Sequence, residues 1–316
     1  MIISASRRTD IPAYYSEWFV NRIHEGFVYV RNPMNIHQIS KVSLSREVVD
    51  GIVFWTKNPV PMMDKLDEFK DYPFYFQFTL TAYGKDIEAG LPSKNQALIP
   101  TFIELSNRIG KEKVVWRYDP ILLNETYTME YHKKYFKLLA DKLSDYTEKC
   151  TVSFLDLYRN TERNIKDQAI RVPTNEEQIE LMTYFVEVAK EHGIYIDTCA
   201  EKIDLSDLGI GHAHCVDGER LERIGGYFLD VKKDSNQREE CGCIASIDIG
   251  TYNTCRNGCI YCYANANKTS VEKQTQNHNP KSPLLFGNVE DIDVIKDREM
   301  KSLVRSQLTI FDIMGT

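Results

Sequence analysis

No stretch of this 316-residue chain is apolar for long enough to cross a bilayer, and its first residues, MIISASRRTDIP, lack the apolar run and cleavage site of an export signal. Both absences predict a cytoplasmic protein without a membrane partner. Positive charge is also in short supply. Lys and Arg number 39 against 46 Asp and Glu, a net charge of −7, so the chain as a whole exerts no pull on nucleic acid, although a local basic groove can exist inside an acidic average. Cysteine, by contrast, is plentiful. Eight cysteines without an export signal point away from disulfides and towards metal, cluster or thiol chemistry, and seven of them fall between Cys199 and Cys262. With 42% hydrophobic and 27% charged residues, the composition is that of a globular protein long enough to bury a full core.

Short apolar, β-branched or aromatic runs alternate with segments of helical period. The runs are IISAS (2 to 6), GIVFWTK (51 to 57), FYFQFTLT (74 to 81), VVWRYDPIL (114 to 122), TVSFLDLY (151 to 158), IYIDTCAE (194 to 201) and ASIDIGTY (245 to 252), with FVYVRNP (27 to 33) weaker. Helical periodicity marks 99 to 110, 129 to 143 and 175 to 193. The alternation predicts an α/β fold of parallel strands with helices outside, most simply a full or partial TIM-like βα barrel over residues 1–266, with the cysteine-rich segment 199–262 inside that domain. Residues 267–316 turn polar and are expected to be an extension packing on the barrel. Several strand ends carry polar groups (Arg7, Arg8, Asp10, Lys57, Arg117, Asp119, Asp156, Cys199 and Glu201), and in a barrel such ends share one rim.

The stretch TYNTCRNGCIYCYAN sets Cys255, Cys259 and Cys262 in a C-x3-C-x2-C spacing. Three thiolates can hold a cubane iron–sulfur cluster while leaving one iron without a protein ligand, whereas a structural zinc site normally closes with four. Gly258 lets the loop fold tightly around an inorganic core. A zinc or purely structural cluster site is the alternative reading of the same spacing.

The spacing and its GCIYCYA context resemble the cluster loop of the radical S-adenosylmethionine enzymes. In that superfamily the loop follows the first barrel strand; here the strand before it, ASIDIGTY, comes last, which implies a circularly permuted ring of βα units. Through SRRTDIPA, VFWTKNP, WRYDPI, CAE and the terminal CxxGCxYCYAN, nearly the whole chain resembles a bacterial family of domains of unknown function, family 1848. TKNP and RYDPI are more distantly similar to spore photoproduct lyase and its relatives, which implies a DNA-linked substrate. The superfamily resemblance implies a [4Fe–4S] cluster that reductively cleaves S-adenosylmethionine to a 5′-deoxyadenosyl radical, with a reductant such as flavodoxin or ferredoxin. It further implies that Tyr261 meets the adenine, that Lys57 and Arg117 pair with the cofactor carboxylate, and that Ser6 or Asp10 receives its amine. The usual glycine-rich amine-binding motif after the second strand is absent, and no substrate-attacking residue is singled out. The bland readings are a solvated rim lysine at Lys57 and a structural Arg117–Asp119 ion pair.

Cys199, Cys215, Cys241 and Cys243 form a second set able to enclose an auxiliary iron–sulfur cluster or a zinc ion, with His212 or His214 as a substitute ligand. Ordinary buried cysteines are the alternative, and Cys150 reads as core. A rival of another class is a non-catalytic iron–sulfur, zinc or electron-transfer protein. Finally, Gln307, Leu308, Ile310 and Phe311 in SQLTIFDI resemble a sliding-clamp docking peptide, the alternative being a tail packed on the barrel.

Overall fold

The computed structural model describes residues 1–276 and 278–305. The sliding-clamp reading of Gln307 to Phe311 therefore lies outside the described residues. In chain order the strands are β1 (Ile2–Ala5), β2 (Phe27–Asn32), β3 (Asn35–Ser43), β4 (Gly51–Thr56), β5 (Phe74–Thr79), β6 (Val114–Ile121), β7 (Lys149–Phe154), β8 (Tyr195–Thr198), β9 (Ile247–Asp248) and β10 (Val294–Asp297). Seven of them make one parallel sheet, ordered β8-β7-β6-β5-β4-β1-β9. The α/β reading with a parallel sheet holds. Each of the seven main apolar runs supplied one strand, although ASIDIGTY contributes only two strand residues and TVSFLDLY stops at Phe154.

The register explains why the runs looked continuous rather than alternating. One face of the sheet carries Ile3, Ile52, Phe54, Phe76, Phe78, Trp116 and Val152, and helices cover it. Two of those helices, Met129–Leu143 and Asn175–Glu191, start on Thr128 and on a Thr174–Glu177 capping box, and they are locked together by the stacked rings of Phe136 and Phe185, 3.9 Å apart. The other face begins apolar at the N-terminal ends, with Ile2, Val53, Tyr75 and Val115, and turns polar towards the C-terminal ends, with Ser4, Trp55, Gln77, Arg117, Thr151 and Asp248. That polar face, half the side chains of the central strands, is where the cysteines gather.

The FVYVRNP run is a strand but not part of this sheet. It pairs antiparallel with β3, and β10 adds in parallel to β3, making a separate three-stranded sheet. Neither β3 nor β10 was anticipated, because the apolar residues of NIHQISKVS fall three apart rather than alternating and VIKD is short and exposed. Beyond residue 267 the chain runs back over the domain: Trp18 Nε1 donates to the Ser282 carbonyl at 2.9 Å, and Tyr29 N to that of Pro283 at 2.9 Å. The Met1 amino group donates to the Lys301 carbonyl at 3.1 Å and is paired with the buried Asp50. No helix among the described residues is long and apolar enough to cross a membrane.

Candidate functional site

The C-terminal ends of β1, β4, β6, β7, β8 and β9 open onto one cavity of about 1190 Å³, lined by Cys255, Cys259 and Cys262 as well as Cys199, Cys215, Cys241 and Cys243. Ser6, Asp10, Lys57, Arg117 and Tyr261 also line it, so the structure brings all seven candidate cysteine ligands and the five proposed cofactor contacts to one place. All eight cysteines are free thiols.

The first cysteine loop is held from three sides. Asn253 N donates to the Ala264 carbonyl at 3.0 Å and Asn265 Nδ2 to that of Cys255 at 2.8 Å, closing the loop on itself. Asn257 Nδ2 donates to Asp10 at 3.0 Å while its oxygen accepts from the Tyr14 hydroxyl at 2.7 Å. On the opposite side the loop after β5 clasps it: Gly90 N donates to Asn257 O at 2.8 Å and Ile260 N to Ile87 O at 3.0 Å. Gly90 is required there, since a Cβ would sit 2.5 Å from the Arg256 carbonyl oxygen. Gly258 takes a left-handed φ of 66°, as the sequence reading asked of it. Backbone N–H groups of Asn257 face the Cys255 sulfur, and those of Ala264 and Asn265 the Cys262 sulfur. Burial pushes all three thiols up, Cys259 to about 12, so a metal must displace protons to bind.

The single-residue expectations fare unevenly. Asp10 spends its carboxylate on structure: Oδ1 caps the short helix Ile11–Tyr14 through Ala13 N, and Oδ2 accepts from Lys57 N at 2.8 Å and from Asn257. Ser6 donates to Asp248 at 2.6 Å. The Tyr261 hydroxyl donates to Glu88 and its carbonyl accepts from Thr161 Oγ1 at 3.2 Å, while its ring packs with Tyr83, Ile87 and Leu122. Lys57 is no solvated rim lysine: its ammonium sits 2.8 Å from Glu88 Oε1 and 5.4 Å from the Tyr261 ring centroid.

Glu88 was not foreseen. It is wholly buried, it bridges backbone to Cys259, and its carboxylate takes Lys57, Lys94, the Tyr261 hydroxyl and Thr81 Oγ1. Burial alone would raise its pKa, but the two ammonium groups outweigh it and hold it at about 2. Burial lowers Lys94, with Lys57 adding repulsion, whereas Glu88 and the Cys259 sulfur keep Lys57 above its ordinary value against the effect of burial. Nothing in YGKDIEAGLP carries a period or a motif that would have singled this residue out.

Arg117 turns away from the first cysteine loop. Nε donates to Asp119 at 2.9 Å, and Nη1 reaches Gln77 Oε1 at 3.3 Å and the Cys215 sulfur at 3.0 Å. It is both the ion pair with Asp119 and a partner of the second cysteine set. Within that set Cys215 Sγ lies 3.3 Å from Cys199 Sγ, and Val216 N donates to the Cys243 sulfur at 3.3 Å. Contacts with Cys199 and Cys243, then the guanidinium of Arg117, pull the Cys215 thiol down. His212 and His214 are exposed and line no part of the cavity, so the structure does not offer them as substitute ligands. Cys150 is fully buried in the core, as read. Among the described residues no group of three or more His, Cys, Asp or Glu side chains is arranged to hold a single metal ion.

No curated protein matches the chain significantly. A solved structure from Bacteroides thetaiotaomicron, assigned as an alpha-L-fucosidase, aligns over 64% of this chain and 77% of its own at 10% identity, but a TM-score of 0.27 is too low for any argument. The family described as Domain of unknown function (DUF1848) matches residues 2–264, and the chain belongs to that family.

Proposed function

We propose that the protein is a radical S-adenosylmethionine enzyme on a permuted, partial βα barrel, with Cys255, Cys259 and Cys262 as the ligands of its catalytic cluster. The observation that carries the reading is a loop of three free thiols, with backbone N–H groups aimed at two of the sulfurs, at the C-terminal end of a parallel strand over a cavity of about 1190 Å³. When bound, the cluster and S-adenosylmethionine would supply one-electron reductive cleavage of the sulfonium to a 5′-deoxyadenosyl radical, given a donor such as flavodoxin or ferredoxin. The permuted order is supported by β9 lying beside β1 at the sheet edge and by residues 1 and 301 being in hydrogen-bond contact.

The chain's own residues then have stated tasks. Asn257, Asp10 and Gly90 hold the loop in place. Lys57 presents an ammonium to the cavity beside Cys259, suited to a carboxylate, and Glu88 fixes where it points. Ser6 and Asp10, both already hydrogen-bonded, are poorer partners for an amine than the sequence reading allowed.

The lining also bears on the substrate. Seven arginines and one lysine face five aspartates, but the thiolates of the two proposed clusters would offset that surplus, leaving a lining of mixed charge rather than a basic one. Tyr158, Tyr252 and Tyr263 on the same rim are 44%, 37% and 42% exposed, and Arg8 stacks 5.1 Å from the Tyr252 ring centroid, a surface suited to unstacked bases. A DNA-linked substrate agrees with these rings.

The test is anaerobic reconstitution with iron and sulfide, reduction, and chromatographic measurement of 5′-deoxyadenosine from S-adenosylmethionine. The wild-type protein should form it and Cys259→Ala should not, while keeping the same circular dichroism. A well-loaded, reduced wild-type protein that forms none is instead the non-catalytic metal or electron-transfer protein.

A further inference from the structure

The second cysteine set is drawn from three separate segments, and each is fixed by main-chain bonds rather than left to chance. Cys199 N donates to Val152 O at 2.8 Å, carrying the β7–β8 ladder one residue past the strand. The Cys215 carbonyl accepts from both the Tyr75 hydroxyl and Gln77 Nε2 at 2.8 Å, which pins that residue to the inner face of β5. Ile244 N donates to Val216 O at 3.0 Å and Gly242 N to Ala213 O at 3.3 Å, laying the CGC turn along the segment that carries Cys215. Thiols are weak donors and weak acceptors. Buried apolar cysteines need no cation, and Cys150 shows that case in the same core.

This set is different. Arg117 donates to the Cys215 sulfur at 3.0 Å, and Arg7 lies within electrostatic reach of Cys243 and Cys215 with its buried Nε lacking any hydrogen-bond partner. The two guanidiniums flank Trp55, each 5.4 Å from its ring centroid. Asp119 and Asp248 offset part of their charge, since Arg117 pairs with the first and Arg7 faces the second. An orphaned guanidinium nitrogen and a guanidinium–sulfur hydrogen bond are what a group of metal-bound thiolates would satisfy.

The room at the set points to the metal group. A structural zinc site closes round one ion with sulfurs about 2.3 Å from it, whereas these four thiols line an open cavity of about 1190 Å³ with space for a four-iron core. The Cys199–Cys215 separation of 3.3 Å is shorter than such a core needs. We infer that Cys199, Cys215, Cys241 and Cys243 hold a second iron–sulfur cluster, and that Arg117 is a positioning residue whose hydrogen bond to the Cys215 sulfur raises its reduction potential. Hydrogen bonds to cluster sulfurs and their ligands stabilise the more negative, reduced state, which gives the direction of the effect. Filling the site opens the Cys199–Cys215 contact. The inference stands apart from the proposed activity, because it concerns four thiols that are not ligands of the proposed catalytic cluster.

The experiment removes the first site. The triple variant Cys255→Ala/Cys259→Ala/Cys262→Ala, reconstituted anaerobically, should hold about four irons and four sulfides per chain and show the electron paramagnetic resonance of a reduced cluster with dithionite. Adding Cys215→Ser or Cys243→Ser should abolish both, while Cys150→Ala should change neither. Circular dichroism and the melting transition of each apo variant separate loss of ligand from loss of fold. In the triple-variant background Arg117→Gln should keep its iron and move the midpoint of a redox titration to a more negative value. A folded triple variant without iron, about one zinc without sulfide, or a Cys199–Cys215 disulfide in its place would each overturn the cluster. An unmoved midpoint would overturn the role of Arg117. Absence of 5′-deoxyadenosine from the wild-type protein bears on the proposed activity alone, since this readout is iron.

Discussion

Replacing Glu88 by Gln removes the one carboxylate that two ammonium groups share beneath the first cysteine loop. The Glu88 side chain is 0% exposed, and those of Lys57 and Lys94 are 13% and 18% exposed, so water cannot take over as partner without the loop shifting. The fall of the Glu88 pKa from its ordinary 4.5 to about 2 corresponds to about 3 kcal/mol of folding stability. The sign follows from the depressed folded-state value: the contribution is fully present above pH 4.5 and is lost as pH falls towards 2. Urea denaturation of the apo protein under reducing conditions should therefore show Glu88→Gln less stable by about 3 kcal/mol at pH 7, and the gap should be smaller by about 1 kcal/mol at pH 4. The affinity for S-adenosylmethionine of the reconstituted variant should fall as well, because Lys57 loses the partner that orients it. A stability loss under about 1 kcal/mol at pH 7, or a gap of the same size at both pH values, would refute the account of Glu88 as a charged clamp.

Gly90→Ala should push a Cβ into the Arg256 and Asn257 carbonyl oxygens, 2.5 and 2.7 Å away, costing about 1–3 kcal/mol. Iron analysis should show the first site depleted and the second intact. His132 is wholly buried between the Tyr118 hydroxyl and the Leu122 carbonyl, and desolvation lowers it to about 4. It is held neutral, so its contribution is present above pH 6.5 and fades as pH falls towards 4; His132→Leu should flatten the pH dependence of the melting temperature over that window, whatever its effect at pH 7.

The main sheet was legible because its strands obey one rule. A parallel strand buried on both faces reads as an unbroken apolar run, and Gly51–Thr56 and the opening VVW of Val114–Ile121 are such runs. β3 and β10 escaped because β3 does not alternate apolar and polar residues and β10 is a short, exposed strand that takes its conformation from pairing with β3. β9 was found for another reason: only two of its residues pair, yet the motif that follows it marks the place.

The site divides along the same line. Cysteine is scarce enough, and its chemistry narrow enough, that seven thiols in one part of a chain announce themselves, and the cavity does bring all seven together. Charged residues make no such announcement. Arg117 was visible as a polar residue on a buried strand, but which partner it would meet depends on a register that puts Thr79 beside it on β5 and on a segment nearly a hundred residues later that lays Cys215 against its guanidinium. The sequence reading offered a cofactor carboxylate or Asp119 as the partner; the fold supplies Asp119 and a sulfur. Glu88 was hidden more deeply. Its neighbours Lys57, Lys94, Thr81 and Tyr261 come from four places in the chain, and its burial follows from the loop after β5 clasping the cysteine loop across Gly90. A local motif can fix which atoms a metal would meet. The charges that orient the rest of a site are fixed by which loops touch, and that is a property of the closed fold rather than of any stretch within it.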